Sequence, residues 1–122
     1  MRRGLLRSLT RRRDFEVVFR QGMNSASRYL VMYARPNELN ISRLGLSISK
    51  KVGKAVTRNR LKRLLREAMR KGLEGLTLNF DFVIIAKKSS VEAELDDFSQ
   101  DIKRFLSELV HEKDSDINYN AV

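Results

Sequence analysis

Basic side chains dominate one stretch of the sequence. Ten lysines and arginines lie between Lys50 and Lys71, and Glu67 is the only acidic residue in that span. Without carboxylates one turn away, these cations lack the ion pairs of an ordinary solvated helix. Arginine outnumbers lysine in the helical part, and its guanidinium suits bidentate contact with phosphate. The stretch therefore predicts a surface that binds a polyanion.

Helical spacing divides this stretch into two faces. An apolar stripe between Thr57 and Lys71 predicts a helix that ends near Gly72, and the stripe consists of Leu61, Leu64, Leu65, Ala68 and Met69. At about 100° per residue, the opposite face holds Asn59, Arg63, Arg66 and Arg70, with Arg60 and Lys62 on its flanks. Four more basic residues lead into the helix, namely Lys50, Lys51, Lys54 and Arg58. Gly53 lets the backbone there approach a phosphate closely.

A second candidate site combines aromatic and small polar residues. If the strands predicted around Tyr33 and Gly45 are neighbours, one sheet face carries Val31, Tyr33, Gly45, Ser47 and Ser49. A helix bearing Phe15 and Phe19 could line that face and form a shallow groove for unstacked nucleotides. Two phenylalanines at this spacing more often belong to a core, so the pattern by itself favours the core interpretation.

Residues for catalysis are not apparent. His111 stands among acidic neighbours without an identifiable serine or cysteine partner, and Asp96, Asp97 and Asp101 fit ordinary chemistry at a helix start. No phosphate-binding Walker loop, HExxH motif or paired-cysteine zinc signature occurs. We therefore predict no catalytic residue and no metal site in the protein. Strong RNA binding without a catalytic set indicates an accessory subunit rather than a self-sufficient nuclease.

Composition narrows the class of protein. The 122 residues suit one domain, and the net charge of +10 calls for a polyanionic partner, either a nucleic acid or an anionic membrane. Residues 1–72 hold 20 basic and 4 acidic residues, whereas residues 73–122 hold 5 and 11. The absence of cysteine excludes disulfides and thiolate metal sites. No apolar run could span a bilayer, and arginines interrupt any secretory signal at the start, so we expect a cytoplasmic protein.

The remaining periodicity predicts an α+β domain. A helix is expected from Thr10, as its N-cap, to Gly22, followed by strands at 28–35 and 41–49 that flank a turn at 36–40. After the basic helix, DFVIIAK predicts a strand covered on both faces, and a last helix runs from Leu95 through Glu112. One more short strand has room between Met23 and Ile41. The chain thus predicts helices packed on a small sheet.

One family shares these motifs. The segment RLGLSISKKVGKAVTRNRLKRLLREAMR, with its R-N-R triplet at Arg58, Asn59 and Arg60, resembles the signature of the bacterial ribonuclease P protein. RRRDFEVVFRQG and DFVIIAKK resemble that family's first helix and last strand. The resemblance covers residues up to about 113, so we expect an RNA-binding domain at 1–113 and a polar, disordered tail at 114–122.

The resemblance implies a fold and two sites. The fold is a single-domain α-β-β-β-α-β-α sandwich with a small mixed sheet and a left-handed β-α-β crossover, unusual among such units. The helix with the R-N-R motif docks on the catalytic RNA, and the cleft between the first helix and the sheet holds the single-stranded 5′ leader of precursor tRNA. The RNA-subunit-binding residues, including two added from the pattern alone, are Lys50, Lys54, Arg58, Asn59, Arg60, Lys62, Arg63, Arg66 and Arg70. The leader-binding residues are Phe15, Phe19, Val31, Tyr33, Ser47, Ser49, Lys51, Lys87 and Lys88.

The resemblance also assigns the chemistry. In that family the RNA, with bound Mg²⁺, hydrolyses the phosphodiester, and the protein positions the substrate and neutralises charge. We therefore expect an endoribonuclease holoenzyme in which the protein alone is not catalytic, Mg²⁺ is held mainly by the RNA, and no membrane or obligate protein partner takes part. The acidic segments near the end depart from the family pattern and put RNA contact by the last helix in doubt. A ribosomal or other structural RNA-binding protein is the main alternative, and a DNA-binding regulator fits less well because no paired helices or dimer seam are predicted.

Overall fold

Helices cover both sides of one sheet in this protein. The structure, a computed structural model, describes residues 6–77 and 79–121, with side chains described up to His111. The strands are β1 (Leu6–Ser8), β2 (Met23–Ala26), β3 (Leu30–Pro36), β4 (Ser42–Ser47) and β5 (Phe80–Ala86). The helices are α1 (Arg12–Gln21), α2 (Ala55–Leu73) and α3 (Leu95–Ala121), with a 3-10 helix at Lys88–Glu92. The α+β class and the predicted order from α1 onward are confirmed, and β2 is the additional short strand between Met23 and Ile41. Strand β1, ahead of α1, was not predicted.

The first helix begins later than predicted. Arg11, not Thr10, precedes α1, and its side chain makes no capping hydrogen bond. The cause lies in the strand before it, because the backbone N–H of Leu9 still donates to the carbonyl of Leu44 at 2.9 Å. The chain cannot turn into a helix until it leaves that ladder. Gly22 ends α1 as predicted, and a Cβ there would lie 2.5 Å from the carbonyl oxygen of Val18.

The strand order differs from the prediction that β3 and β4 are neighbours. The sheet runs β1-β4-β5-β3-β2, so β5 lies between the two early strands, which are not neighbours. β4 is parallel to both β1 and β5, whereas β3 is antiparallel to β5 and to β2. Parallel neighbours need a crossover connection, and α2 supplies it between β4 and β5. The left-handed sense of that crossover stays an expectation of the resemblance.

Two apolar clusters hold the three layers together. On one face, α2 and α3 pack against the sheet and bury Leu65, Phe82 and Ile102, each with no exposed surface. On the other face, α1 covers a smaller cluster centred on Val18 and Val83, both fully buried. Burial of one such side chain contributes roughly 1.5 to 3 kcal/mol. The large cluster therefore supplies most of the stability, and α1 is held by few contacts.

The last helix is longer than predicted. It begins at Leu95 as expected, and the carboxylate of Asp97 accepts a hydrogen bond from the backbone N–H of Glu94 at 2.8 Å. The described backbone continues the helix to Ala121, past the predicted end at Glu112. Side chains from 112 onward lie outside the described residues, so the division into a domain at 1–113 and a tail at 114–122 stays a prediction. No described helix is long and apolar enough to cross a membrane.

Candidate RNA interface

The two faces of α2 are arranged as predicted. Leu61, Leu65 and Met69 have no exposed surface and point into the core, whereas Leu64 is only partly buried. The polar face is exposed throughout, and it consists of Asn59, Arg63, Arg66 and Arg70. Arg60 and Lys62 are intermediate in exposure, as expected for flanking positions. The helix thus presents a row of cations to solvent while its leucines anchor it to the sheet.

Few carboxylates compete for these cations. Among the described residues, the ion pair on α2 is that of Arg60 with Glu94 in the turn before α3, at 3.6 Å. Arg58 is partly buried, and its Nε atom has no hydrogen-bond partner in the described chain. No acidic residue occupies the first turn of α2, and Lys54, which precedes it, provides no side-chain cap. This end of the helix can therefore accept an anion.

The opposite sheet face forms a cleft beside α1. The pairing register aligns Tyr33, Val83 and Gly45 in one row across three strands, and Val31, Ile85 and Ser47 in the next. α1 covers the first row, because Phe15 packs on Gly45 so closely that a Cβ there would lie 2.4 Å from the ring. The second row is not buried. It forms a partly apolar floor next to the helix.

Aromatic rings form one wall of this cleft. Phe19 is 39% exposed, and its ring meets Tyr33 edge to face with 5.0 Å between centroids. Phe15 lies 6.4 Å from Phe19 and is partly buried. Phe19 is therefore not a core residue, whereas Phe15 holds α1 on the sheet. Exposed ring faces at a sheet surface can stack on nucleobases of any sequence.

Two parts of the cleft were not predicted from the sequence. Ile85 lies in the middle of the floor, because β5 runs between β3 and β4. Its alternation with the buried Val83 could have placed it on this face. Asn24 and Ala26 on β2 extend the two rows beyond Tyr33 and Val31, and both are exposed. β2 is too short and polar to show a strand pattern of its own.

The predicted rim residues have different surroundings. Ser47, Ser49 and Lys51 are exposed where β4 ends, and the Ser49 hydroxyl accepts a hydrogen bond from the backbone N–H of Lys51 at 3.0 Å. Lys88 is exposed at the start of the 3-10 helix. Lys87 instead donates from Nζ to the carbonyl of Ser27 at 2.6 Å, which ties the β2–β3 turn to β5. Leader binding by all of these residues stays a prediction.

A buried ion pair braces the covered end of the cleft. Asp81 on β5 is 3% exposed and accepts two hydrogen bonds from Arg43, at 2.8 Å and 2.7 Å, and one from Asn37 at 2.8 Å. Arg43 also lies 3.8 Å from Asp14 on α1. Burial alone would raise the pKa of Asp81, but the hydrogen bonds from Arg43 and Asn37 outweigh it and lower that pKa below 3.8. The pair links α1 to the sheet beside Phe15.

We expect Asp81→Asn to destabilise the fold in a pH-dependent way. At pH 7 the variant should lose roughly 1.5 to 3 kcal/mol, the range for hydrogen bonds to charged groups. A lowered pKa means that the folded protein favours the carboxylate, so this stability is present above pH 3.8 and is lost as pH falls through the folded-state value. Urea unfolding at pH 7 and at about pH 3 should show the gap to wild type shrinking in acid. The exposed Asp96→Asn is the control, and a gap that is constant with pH would contradict the assignment.

The described part of the chain shows no cluster of three or more His, Cys, Asp or Glu side chains that could hold a metal ion. His111 is exposed, and Asp97 is engaged in capping α3. The exposed cations of α2 can bind anions, and the rings of Phe19 and Tyr33 can stack on bases.

Comparison with known proteins identifies relatives across most of the chain. The profile of the Ribonuclease P family matches residues 6–110. The ribonuclease P protein component of Clostridioides difficile (strain 630) is 44% identical over 94 residues, which cover 76% of this chain and 82% of that protein. That of Caldanaerobacter subterraneus subsp. tengcongensis is 39% identical over 101 residues, covering 83% and 87% of the two chains.

Solved structures agree with the sequence relatives. The RNase P protein of Staphylococcus aureus superimposes with a TM-score of 0.73 at 30% identity, over 82% of this chain and 92% of that one. The RNase P protein of Thermotoga maritima gives a TM-score of 0.68 at 34% identity, over 80% and 96%. Both fold and sequence therefore lead to one conclusion: the chain belongs to the ribonuclease P protein family.

Proposed function

We propose that this protein assists the catalytic RNA of ribonuclease P in removing the 5′ leader from precursor tRNA. In this proposal α2 binds the RNA subunit, and the cleft beside α1 binds the single-stranded leader. Membership of the family supports a role in ribonuclease P and in tRNA processing. The observation that carries the finer assignment is the placement of an exposed cation row and an open aromatic cleft on opposite faces of one sheet.

The cation row suits a structured RNA. Arg63, Arg66 and Arg70 are exposed and make no ion pair with another described residue. Their guanidinium groups can each contact a phosphate and release bound counterions, which makes the affinity dependent on salt. The rigid helix fixes the spacing of these contacts. The surface can therefore dock on one RNA in a defined orientation.

The cleft suits a single strand instead. Bases of a duplex are stacked and cannot reach the rings of Phe19 and Tyr33, whereas the unstacked bases of a leader can. The floor of Val31 and Ile85 is partly apolar, and Ser47 offers a hydroxyl at its edge. Exposed cations at Lys51 and Lys88 lie at the same end of the strands and can neutralise the leader backbone.

The two sites meet at one end of the sheet. β4 ends at Ser47 beside the cleft floor, and residues 48–54 lead directly into α2, which begins at Ala55. An RNA docked on the start of α2 would thus lie next to the open end of the cleft. This arrangement lets the protein hold a leader close to the RNA that cleaves it.

The chemical step is assigned to the RNA. The family resemblance places Mg²⁺ and phosphodiester hydrolysis in the RNA subunit, and no side chain here is given the role of nucleophile or general base. The protein contributes positioning and charge neutralisation. A cytoplasmic location and the absence of an obligate protein partner stay predictions.

We expect Phe19→Ala to reduce the preference of the holoenzyme for substrates that carry a leader. Affinity for precursor tRNA should fall by about tenfold to a hundredfold at most, since a lost stacking contact is worth about 1 to 3 kcal/mol. Affinity for mature tRNA should change little. The measurement is equilibrium binding of both tRNAs to reconstituted holoenzyme. Leu39→Ala is the control, because Leu39 is 43% exposed and lies in the β3–β4 turn.

A different outcome would remove Phe19 from the site. If the variant folds normally and discriminates between the two tRNAs as wild type does, Phe19 does not touch the leader. If it melts early and loses both ligands together, Phe19 is a structural residue. Thermal unfolding is therefore measured before binding.

A further inference from the structure

A small recess lies between the sheet edge and the cation row of α2. It is lined by Leu6, Arg7, Ser8, Leu44, Arg66 and Arg70. Arg66 and Arg70 are one helical turn apart and both exposed, and Ser8 is exposed on β1. None of these lining residues is acidic. The recess thus joins two guanidinium groups to a strand that is distant in sequence.

The orientation of Ser8 follows from the pairing of β1. Ser8 pairs with Leu44, whose side chain packs into the core on the α2 side of the sheet. Paired residues of neighbouring strands face the same side, so the Ser8 hydroxyl also points toward α2. Arg7 pairs with Arg43, which faces the opposite side, where it contacts Asp14 on α1. Ser8 is therefore the polar β1 side chain that faces the recess beside Arg66 and Arg70.

The backbone of Ser8 adds a second donor. The N–H of Leu9 points at β4, where it bonds to Leu44. Peptide groups of successive residues in a strand point to opposite sides, so the N–H of Ser8 points away from β4. β1 is an edge strand, and the outward N–H groups of an edge have no ladder partner. Ser8, Arg66 and Arg70 thus line one recess, and the outward N–H of Ser8 lies at the same sheet edge.

The size of the recess selects the ligand. Its volume is about 20 Å³, comparable to the space that one water molecule needs and far too small for a nucleobase. A phosphate oxygen fits, with the rest of the phosphate outside. Beside Leu6 and Leu44, the lining side chains are three arginines and a serine, with no carboxylate among them, which suits an anion.

We propose that Ser8, Arg66 and Arg70 form a binding site for one backbone phosphate of the RNA that docks on α2. This inference rests on the proposed function and extends the RNA-binding surface from the helix onto the edge strand β1. The hydroxyl and N–H of Ser8 donate to the phosphate oxygens while the two arginines neutralise them. The site fixes the position of the RNA backbone along the C-terminal half of α2.

The test compares two substitutions of equal charge. Ser8→Glu places a carboxylate in the recess, and Ser107→Glu places one on an exposed position of α3. Affinity for in vitro transcribed ribonuclease P RNA is measured with the full-length protein, after thermal unfolding has shown that both variants fold. Ser8→Glu should weaken binding by about tenfold or more through repulsion of the phosphate, and Ser107→Glu by less than about twofold.

The outcomes separate this site from the proposed function. If both glutamate variants bind equally while Arg63→Ala still weakens binding, the phosphate site is wrong and docking by α2 stands. If Arg63→Ala also has no effect, the proposed function itself fails. Should Ser8→Glu not fold, Ser8→Ala decides, with about threefold weaker binding expected for the lost hydroxyl and unchanged affinity overturning the site.

Discussion

Reversing two charges on α2 should weaken binding to the ribonuclease P RNA by at least about a hundredfold while leaving the fold intact. The variant is Arg63→Glu combined with Arg66→Glu. Each change removes a cation from the exposed row and puts a carboxylate against phosphate. The salt dependence should also flatten, since each phosphate contact contributes about 0.7 to 0.9 to the slope of log affinity against log salt.

Two controls separate this loss from other causes. Lys103→Glu with Arg104→Glu makes the same charge change on exposed positions of α3, and it should cost far less affinity. Leu65→Ala should do the reverse of the arginine changes. Leu65 is fully buried, so the variant should lose about 2 to 5 kcal/mol of stability and keep its RNA contacts when folded. Equal losses of thermal stability in the arginine and leucine variants would contradict the assigned faces.

The faces of α2 could be predicted because they depend on local periodicity. Leu61 and Leu65 lie one turn apart and are buried. Whatever the helix packs against, burying these leucines leaves Arg63 and Arg66 on the opposite, exposed face. Even here packing changed a detail. Leu64 stays partly exposed, while Leu73, beyond the predicted end of the helix, is buried.

Strand order could not be predicted from the sequence. β3 and β4 are consecutive along the chain, and consecutive strands are often neighbours. Here β5, which follows the whole of α2, inserts between them. The faces of Tyr33 and Gly45 were nevertheless assigned correctly, because insertion of a strand leaves the alternation of its neighbours unchanged. The sequence pattern did not predict that Ile85 lies at the centre of the cleft floor.

Other differences also arise from long-range contacts. β1 is only three residues long and is defined by its pairing with β4, so no local pattern marks it. That same pairing delays the start of α1 past Thr10. The pattern alone favoured the core for Phe15 and Phe19, whereas the family resemblance placed both in the leader cleft. In the structure Phe15 is partly buried against Gly45 and Phe19 remains at the surface, and leader binding by both stays a prediction.

Family membership decides between the alternatives considered from sequence. A ribosomal protein would also explain the basic helix, but its function would not require the open cleft beside α1. The relatives over most of the chain are ribonuclease P protein components. Among the described side chains of α3, no acidic residue lines the recess at Ser8, and α3 packs on the face of the sheet opposite the cleft.

Leader cleavage by reconstituted enzyme tests the central claim most directly. The protein is mixed with the ribonuclease P RNA of a relative such as Clostridioides difficile and a precursor tRNA at low Mg²⁺, and release of the 5′ leader is followed. The protein alone should release none, the RNA alone should act slowly, and the two together should cleave rapidly. Robust 5′ cleavage by the protein after removal of all RNA, or no stimulation of the RNA by the protein, would contradict the account.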